Sequence, residues 1–361
     1  MEKHYPSLYV NLEAMRTNAE CMCELLGRYG IKAAGVIKFS DANPEVAKAY
    51  SCCAQLAVSR AVHLKRLKEL LPEKETLLTR PPVKSEMEDV SRYADYVLMS
   101  EADGLRALNA AAEKTGGRPG VILMLDVGDR REGVVSIADL EDLALLVENE
   151  LPYIRLKGVG TNVACLNGVL PTPENMGFLA RGAEAVEKAI GRPLEIVSGG
   201  STINLRLLVD GNQMPAKINH LRLGGIIANP MNMRLNRGIH FEGTREDTLR
   251  LDAEIVELKE KDSAVVGGTL NWAGKHIETE DRGIRLRAIL AVGSQDIGDA
   301  SNLMPLQEGV SVIGCSSDHT ILDVGDYDGP LEVGDVLSFR LRYAGMLQAF
   351  STRHIEIRFE E

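Results

Sequence analysis

Eight short apolar runs, separated by amphipathic helical stretches, constrain the fold of this chain more than any other feature of its sequence. They are apolar throughout rather than alternating, which is typical of parallel strands covered on both faces. Segments such as Ala61–Leu71, Ser100–Lys114 and Asn175–Ile190 lie between them and show apolar residues at helical spacing. The runs are Ala33–Lys38, Gln55–Ser59, Thr76–Arg80, Tyr96–Ser100, Val121–Val127, Ile154–Thr161, Leu194–Ser198 and His220–Gly224.

Eight successive strand–helix units are compatible with a closed (β/α)8 barrel or with an open, doubly wound sheet. A dinucleotide-binding open sheet would carry Gly-x-Gly-x-x-Gly after its first strand, and no such motif follows Lys38. The sequence therefore predicts an α/β protein whose residues 1–240 form an N-terminal, TIM-like (β/α)8 barrel.

After residue 240 the pattern changes to that of antiparallel strands. Leu251–Lys259 alternates apolar and polar residues with period two, as half-buried strands do. Helical periodicity is essentially absent, so residues 241–361 are predicted to form a mostly antiparallel β-domain. The early strand Leu8–Leu12 could pair with this domain. The further predicted strands are Gly283–Val292, Val310–Gly314, Thr320–Val324, Asp335–Tyr343 and His354–Phe359.

Composition excludes several classes of function. A formal net charge of −11 argues against nucleic-acid binding, which needs a basic face. No apolar stretch reaches the length of a membrane span, and Met1–Pro6 does not resemble a signal peptide. The six cysteines show neither zinc spacing nor a disulfide framework, so we expect reduced thiols in a cytoplasmic protein and no metal site.

Polar residues gather where the predicted strands end, which in such barrels is the position of the active site. Lys38 closes the first run, Asp126–Gly133 follows the fifth, Asn162 the sixth, and Arg222 lies in the eighth. Lys38 alone is compatible with an ordinary lysine leaving a strand. A lysine amine is also a nucleophile when desolvation lowers its pKa, and the neighbouring polar residues favour that interpretation.

The segment Ser198–Thr202 is a candidate phosphate-binding loop. Its two glycines allow close approach of the backbone, its hydroxyl groups add donors, and a helix is predicted to follow. Alone, the segment could be a flexible turn with an N-cap. Its position after the seventh strand, beside Gly224 and Gly225 after the eighth, favours the phosphate site of these barrels.

A phosphate anchor facing Lys38 indicates pyridoxal 5′-phosphate (PLP), held through a Schiff base to that lysine. Arg222 would then face the pyridine nitrogen of the cofactor. A guanidinium only donates hydrogen bonds, so the nitrogen would stay unprotonated. That weakens carbanion delocalisation and favours simple proton exchange at Cα over transamination.

With these residues in place, the chain resembles the alanine racemase family of fold type III PLP enzymes, and within it the ornithine racemase group. The resemblance spans nearly the whole chain and depends on the order and spacing of its motifs. These are Lys38 with its strand, Val58–Arg60, Asp126–Gly133, Gly158–Cys165, Ser198–Thr202, Leu221–Gly224, Glu280–Gly283, Gly293–Asp296 and Ser316–Asp323.

The resemblance implies a role for each matching residue. Lys38 would form the Schiff base and Arg222 would contact the pyridine nitrogen. Arg131 would contact the phenolic oxygen of the cofactor and the substrate carboxylate, with Glu132 as its ion-pair partner, and Asn162 would lie beside the ring. The residues implied around the phosphate are Ser201, Thr202, Gly224 and, from the β-domain, Tyr343. Ser198, Gly200 and Gly225 are cofactor-binding candidates because they belong to the two glycine-rich segments described above.

Two departures from the family concern its tyrosines. Ala42 stands where alanine racemases carry a tyrosine four residues after the lysine. No tyrosine occurs in Ala264–Lys275, where Trp272 is the only aromatic residue and where the partner subunit's second base would be sought. The second base is therefore unassigned. Its candidates are Asp318, which could equally be a turn or substrate-orienting residue, His319, and Cys315, for which a small buried residue is the favoured alternative.

The expected activity is two-base racemisation of an amino acid in a head-to-tail homodimer with shared active sites. The alternatives are a PLP-dependent decarboxylase, which Arg222 disfavours, a non-catalytic PLP-binding regulator, which the β-domain disfavours, and a racemase scaffold that has lost its second base. The ornithine group suggests a basic amino acid as substrate. The segment Ile226–Thr244 departs from the usual pattern, so the sequence does not decide the substrate.

Overall fold

The computed structural model describes residues 4–265 and 280–360. Internal contacts divide the chain into two compact units. The first, the barrel unit, is Leu12–Glu246. The second, the β-unit, combines Met1–Asn11 with Asp247–Glu361.

The barrel unit is a closed parallel barrel of eight strands, β2 to β9, in chain order. The last strand pairs with the first in parallel, with Ala34 opposite Arg222, and this pairing closes the barrel. The prediction of a (β/α)8 barrel is confirmed, and each predicted run overlaps one observed strand. The strands are β2 (Lys32–Val36), β3 (Gln55–Val58), β4 (Glu75–Leu78), β5 (Tyr96–Met99), β6 (Gly120–Met124), β7 (Arg155–Gly160), β8 (Ile196–Ser201) and β9 (His220–Leu223).

Helices follow the strands and cover the barrel. The longest of them begins at the capping box of Thr172 and Asn175 and ends at Gly191, whose φ of 72° is the left-handed conformation that glycine favours. The helices of this unit are α1 (Leu12–Gly27), α2 (Pro44–Ala49), α3 (Ala61–Leu70), α4 (Met87–Tyr93), α5 (Ala102–Thr115), α6 (Ile137–Glu150), α7 (Pro173–Ile190), α8 (Arg206–Val209), α9 (Gly225–Ala228) and α10 (Pro230–Arg237).

Apolar side chains fill the barrel interior. The cluster takes residues from six of the eight strands, so the barrel is a packed core rather than a pore. Removing these groups from water favours the closed barrel by about 25 cal/mol per Å² of apolar surface. The buried members are Ala34, Ala57, Leu77, Leu98, Ile122, Met124 and Ile196.

The β-unit is one mostly antiparallel sheet, as predicted. Its strand order is β12-β15-β10-β11-β14-β13, and β1 pairs antiparallel with β10 and parallel with β16. Its strands are β1 (Ser7–Asn11), β10 (Leu249–Asp262), β11 (Ile284–Leu290), β12 (Leu303–Pro305), β13 (Ser311–Cys315), β14 (Thr320–Asp323), β15 (Val336–Leu341) and β16 (Glu356–Glu360).

The β-unit also contains helices, although helical periodicity is essentially absent from its sequence. The strand predicted over Asp335–Tyr343 ends at Leu341, and Tyr343 begins the helix α12 (Tyr343–Ser351). A short helix, α11 (Ser294–Ile297), precedes it in the chain. The helix α12 is apolar on more than one side, so its sequence lacks the alternation of charged and apolar faces that marks an exposed helix.

No helix in the described part of the chain is long and apolar enough to cross a membrane.

Gly158 of β7 lies against the backbone of β8, so the two strands depend on the absence of a side chain there. A Cβ on Gly158 would meet the carbonyl oxygen of Ile196 at 2.0 Å. We expect Gly158→Ala to destabilise the barrel by about 1–3 kcal/mol or more, because the strands must separate. The readout is the thermal unfolding temperature.

The matched control is Gly177→Ala in the interior of α7. Its nearest neighbour would be the Arg181 side chain at 3.5 Å, an ordinary contact, so alanine should leave the unfolding temperature unchanged or raise it. Equal unfolding temperatures for the two variants would contradict the close-packing argument.

Candidate active site

A cavity of about 400 Å³ opens at the carboxyl ends of the barrel strands. Every strand of the barrel, or the loop that follows it, contributes at least one lining residue. The volume lies in the range of small-molecule sites, about 300–1,000 Å³. The lining residues are Val36, Lys38, Ser59, Thr79, Arg80, Leu98, Arg131, Glu132, Asn162, Cys165, Ser201 and Arg222.

Lys38 lies two residues beyond the end of β2 and lines this cavity. The prediction that the strand extends to Lys38 is wrong, because β2 ends at Val36 and Lys38 begins a short 3-10 turn with its side chain exposed. Two residues just beyond it, Asp41 and Ala42, adopt the left-handed conformation with φ of 52°. Asp41 contacts Arg66 at 3.2 Å and also pairs with His63, both on α3, so the lysine stands on an anchored turn.

Arg222 is the buried cation of the site, with 4% of its surface exposed. Its guanidinium donates to the carbonyl of Thr161 at 2.8 Å, to the hydroxyl of Ser198 and to Asn162 Oδ1 at 3.4 Å. Burial lowers the pKa of Arg222 to about 10, which leaves the side chain protonated at neutral pH. The site therefore contains a fixed positive charge that donates hydrogen bonds and accepts none.

A chain of hydrogen bonds behind Arg222 fixes its direction. His220 Nδ1 lies 2.9 Å from the Ser198 hydroxyl, and His220 Nε2 lies 3.1 Å from Gln55 Oε1. Since Gln55 Oε1 only accepts, the Nε2 of His220 carries the proton, and Ser198 donates to Nδ1 while it accepts from Arg222. Burial, together with the nearby Arg222 charge, lowers the pKa of His220 to about 3, so the imidazole is neutral.

Arg131 and Asn162 are linked through one carboxylate. Glu132 accepts from the Arg131 guanidinium and, at 3.3 Å, from the amide of Asn162, whose oxygen faces Arg222. Burial alone would lower the pKa of Arg131, but the adjacent Glu132 outweighs it and the pKa lies above the ordinary value. The ion pair expected between Arg131 and Glu132 is present.

Two buried aspartates shape the loop that carries Arg131. Asp126 Oδ1 accepts from the backbone N–H of Gly128 at 2.7 Å and of Arg130 at 3.2 Å. Asp129 accepts from three backbone N–H groups of the loop after β7, those of residues 165, 166 and 167. The loops after β6 and β7 are therefore tied together.

The predicted phosphate-binding loop is assembled from two adjacent strands. Thr202 follows β8, and its hydroxyl accepts from the backbone N–H of Gly224 after β9 at 3.2 Å. Ser201 lines the cavity. Gly200 has a φ of 123°, and a Cβ there would meet Asn204 Oδ1 at 2.3 Å; a Cβ on Gly225 would meet Met233 at 2.9 Å. These last two glycines therefore serve backbone geometry and packing.

Ser198 is placed differently from the rest of the predicted loop. It is fully buried, and its hydroxyl is engaged by Arg222 and His220. It is not among the lining residues of the cavity. In this structure the Ser198 hydroxyl accepts a hydrogen bond from Arg222 and helps to orient that side chain.

The remaining predicted site residues belong to the β-unit. Cys315 ends β13 and is half-buried, and burial raises the pKa of its thiol. Asp318 and His319 are exposed on the turn that follows, where Gln295 donates to Asp318 Oδ1 at 3.3 Å. Tyr343 is the first residue of α12. Trp272 and most of the segment Ala264–Lys275 lie outside the described residues.

Sequence reasoning missed several lining or supporting residues. Four of them could have been found from their position, because each stands at the end of a strand or in the loop that follows one. At these positions only residues with an obvious chemical role were singled out. The fifth, His220, could not be found in this way, since its role depends on a buried network that no local pattern reveals. The missed residues are Ser59, Thr79, Arg80, Cys165 and His220.

The charges of the cavity favour an anionic ligand. Among the described residues, four cationic side chains line it, against the single carboxylate of Glu132. Ser201 adds a hydroxyl group suited to phosphate, and it is followed by Thr202, whose hydroxyl is held by the Gly224 N–H. A ligand that combines a phosphate with an aldehyde able to react with a lysine, as PLP does, fits these residues.

Comparison with known proteins places this site in a family. Residues 10–228 match the family model described as "Alanine racemase, N-terminal domain". The chain belongs to the alanine racemase family. This confirms the resemblance inferred from the strand-end motifs.

Relatives match over the full length. The chain is 37% identical to an ornithine racemase of Acetoanaerobium sticklandii over 98% of its length and 99% of that protein. It is 35% identical to a lysine racemase of Thermotoga maritima over 99% of both. The solved structure of an alanine racemase from Clostridium difficile 630 superposes with a TM-score of 0.72 at 19% identity, over 100% of this chain and 97% of that one, and shares the fold.

Because His220 is neutral in the folded protein, the free energy of unfolding should depend on pH. Its folded pKa of about 3 lies below the ordinary value of 6.5, so the unfolded chain binds a proton that the folded chain does not. This contribution is complete above pH 6.5 and is lost as the pH falls toward 3, by about 1.4 kcal/mol per pH unit. We expect His220→Gln to reduce the slope of unfolding free energy against pH in that window.

The matched control is His240→Gln, because His240 is exposed in the same unit. Urea unfolding at a series of pH values measures both variants. An unchanged slope in His220→Gln would contradict the assignment of a buried neutral imidazole.

Proposed function

We propose that this protein is a PLP-dependent amino-acid racemase that acts on a basic amino acid such as ornithine or lysine. The observation that carries the proposal is one cavity in which Lys38, Arg131 and Arg222 stand together at the barrel rim. The full-length similarity to an ornithine racemase and a lysine racemase supports both the reaction and the substrate class.

Five side chains would hold the cofactor. Lys38 would bind it covalently, and Ser201 and Thr202 would bind its phosphate, with the Gly224 N–H orienting the Thr202 hydroxyl. Arg222 and Asn162 would lie beside its ring. When bound, PLP withdraws electrons from the substrate and so weakens the Cα–H bond. The guanidinium of Arg222 would place a hydrogen-bond donor, rather than a carboxylate, beside the ring nitrogen, which suits proton exchange at Cα.

Different residues of the chain would transfer the proton, bind the substrate carboxylate and hold Arg222. Once the substrate amine has taken its place, the freed Lys38 amine would remove or return the proton on one face of the substrate Cα. Arg131, held by Glu132, would orient the substrate carboxylate through charge-assisted hydrogen bonds. The Gln55–His220–Ser198 chain keeps Arg222 in place.

The second base is proposed to come from the β-unit of another copy of the chain in a head-to-tail homodimer. The one carboxylate that lines the described cavity, Glu132, is engaged by Arg131 and Asn162. The turn that carries Asp318 and His319 is exposed in the β-unit and is therefore accessible to a partner. With Cys315, these residues remain the candidates.

A cytoplasmic location is part of the same proposal. All six cysteines are free, including a cluster of three in mutual reach, as expected where thiols are kept reduced.

Lys38→Ala should abolish racemisation, because no other lysine lines the cavity in the described residues. We expect at least a 10³-fold loss of kcat/KM and, in parallel, loss of the covalent PLP adduct that borohydride fixes to the chain. Lys32→Ala, at the other and exposed end of β2, is the control and should retain both. Retention of the adduct in Lys38→Ala would overturn the assignment.

The same purified enzyme identifies the substrate when it is incubated with each of ornithine, lysine, arginine, alanine and serine, followed by chiral chromatography and amine analysis. Racemisation of ornithine or lysine at least tenfold faster than of alanine is expected. Exclusive racemisation of alanine would refute the basic-substrate class, and release of carbon dioxide would indicate a decarboxylase.

Shared sites make a specific prediction for mixed dimers. A variant that lacks the second base, whichever of Asp318→Asn, His319→Gln or Cys315→Ser is inactive, should regain activity when it is co-expressed with Lys38→Ala. Random pairing then restores about one quarter of the sites, because half of the dimers are mixed and each has one intact site. In a self-contained monomeric site, the mixture would stay inactive.

A further inference from the structure

Folding brings Cys23 next to Cys52 and Cys53, a pair that lies far from it in the sequence. Cys23 lies on α1, while Cys52 and Cys53 lie in the loop between α2 and β3. The sulfur of Cys23 is 3.6 Å from that of Cys52 and 3.8 Å from that of Cys53, and all three sulfurs lie within 4.8 Å of one another. The sequence showed no metal spacing because the first ligand is contributed by a distant helix.

We propose that Cys23, Cys52 and Cys53 form a binding site for a thiophilic metal ion, with Zn²⁺ as the ion bound. Zn–S bonds are about 2.3 Å long, so two sulfurs on one tetrahedral zinc lie about 3.8 Å apart. The observed separations of 3.6 and 3.8 Å match this edge. A disulfide would need only two of the sulfurs, at about 2.05 Å, and would leave the third without a role.

The three sulfurs differ in exposure in a way that suits metal uptake. Cys53 is buried, Cys23 is half-buried and Cys52 is exposed. An ion could therefore enter from solvent past Cys52 and bind to the more buried sulfurs of Cys23 and Cys53. Within residues 4–265 and 280–360, no fourth cysteine, histidine, aspartate or glutamate joins the group. Water or an external thiol would complete the tetrahedron.

The surroundings hold the ligands in place. A Cβ on Gly35 of β2 would meet the sulfur of Cys53 at 3.0 Å. The thiol therefore packs closely against the strand, which depends on the absence of a side chain at residue 35. The ammonium of Lys74 donates to the carbonyl of Ser51 at 2.8 Å and to that of Cys53, which fixes the loop. Zinc bound by three thiolates carries one negative charge, which this ammonium would balance.

The cluster is separate from the catalytic rim. The N–H of Ala54, next to Cys53, donates to the carbonyl of Ala33 near the start of β2, whereas Lys38 follows the end of that strand. In these barrels residues at the amino ends of the strands serve stability. A bound ion would join α1 to the α2–β3 loop beside β2 and stabilise the barrel in proportion to its affinity.

Cadmium titration of the reduced holoenzyme tests the proposal. Cd²⁺ substitutes for Zn²⁺ at thiolate sites and gives a sulfur-to-metal charge-transfer band in the ultraviolet. We expect one Cd²⁺ per chain, displaced by Zn²⁺, and an affinity at least ~100-fold lower in Cys23→Ser and Cys52→Ser. The matched control is Cys21→Ser, because Cys21 lies on the same helix outside the cluster and should leave the titration unchanged.

Unfolding of the unmutated holoenzyme gives a second readout that does not depend on a variant folding. Zn²⁺ should raise its unfolding temperature relative to a chelator, and Cys21→Ser should respond equally. The proposal is wrong if the reduced enzyme gives no charge-transfer band, or if Cys21→Ser loses the band as Cys23→Ser does. It is also wrong if enzyme isolated without reductant carries a Cys23–Cys52 disulfide and its reduced form takes up no Cd²⁺.

Discussion

The hydrogen bonding between β2 and β9 closes the barrel, and the arrangement of the site depends on it. That pairing sets Ala34 opposite Arg222, so the turn that carries Lys38 rises beside the strand that carries the buried guanidinium. Neither residue is near the other in the sequence. An open sheet would leave β2 and β9 as separate edges, and the two cations would then have no common cavity. Closure thus converts a repeated strand–helix pattern into one rim.

Burying a charge at that rim has a cost, and much of the surrounding polar structure offsets it. Arg222 donates to three acceptors, on Thr161, Ser198 and Asn162. The side-chain amide of Asn162 in turn donates to the carboxylate of Glu132 and so links that carboxylate to Arg222. A protonated His220 would add a second buried cation beside Arg222, so its low pKa is part of the same balance. The polar residues of the site therefore act as a connected set, in which the position of each depends on its neighbours.

The sequence was sufficient for the barrel, for the antiparallel sheet and for the residues whose chemistry stands at strand ends. Lys38, Arg131, Asn162, Ser201 and Arg222 were singled out in this way, and the structure brings them to one cavity. What it could not provide depends on contacts between distant segments. The exposure of Lys38 depends on where β2 ends, and the roles of Ser198 and His220 depend on a buried chain. The apolar helix α12 has no helical alternation to detect, and the three-cysteine cluster exists only after α1 packs on its neighbours.

The pairing of β1 has a consequence for the order of folding. This strand precedes the barrel in the chain, yet its partners are β10 and β16, which follow it. During synthesis β1 must remain unpaired until the whole barrel has been made, and the barrel itself can close using only residues that lie between β1 and β10. The sheet is thus a high-contact-order structure whose completion lags behind barrel closure. Until its partners are made, β1 is an unpaired apolar strand that can pair with other chains. It is therefore the segment of this chain most exposed to misassembly during folding.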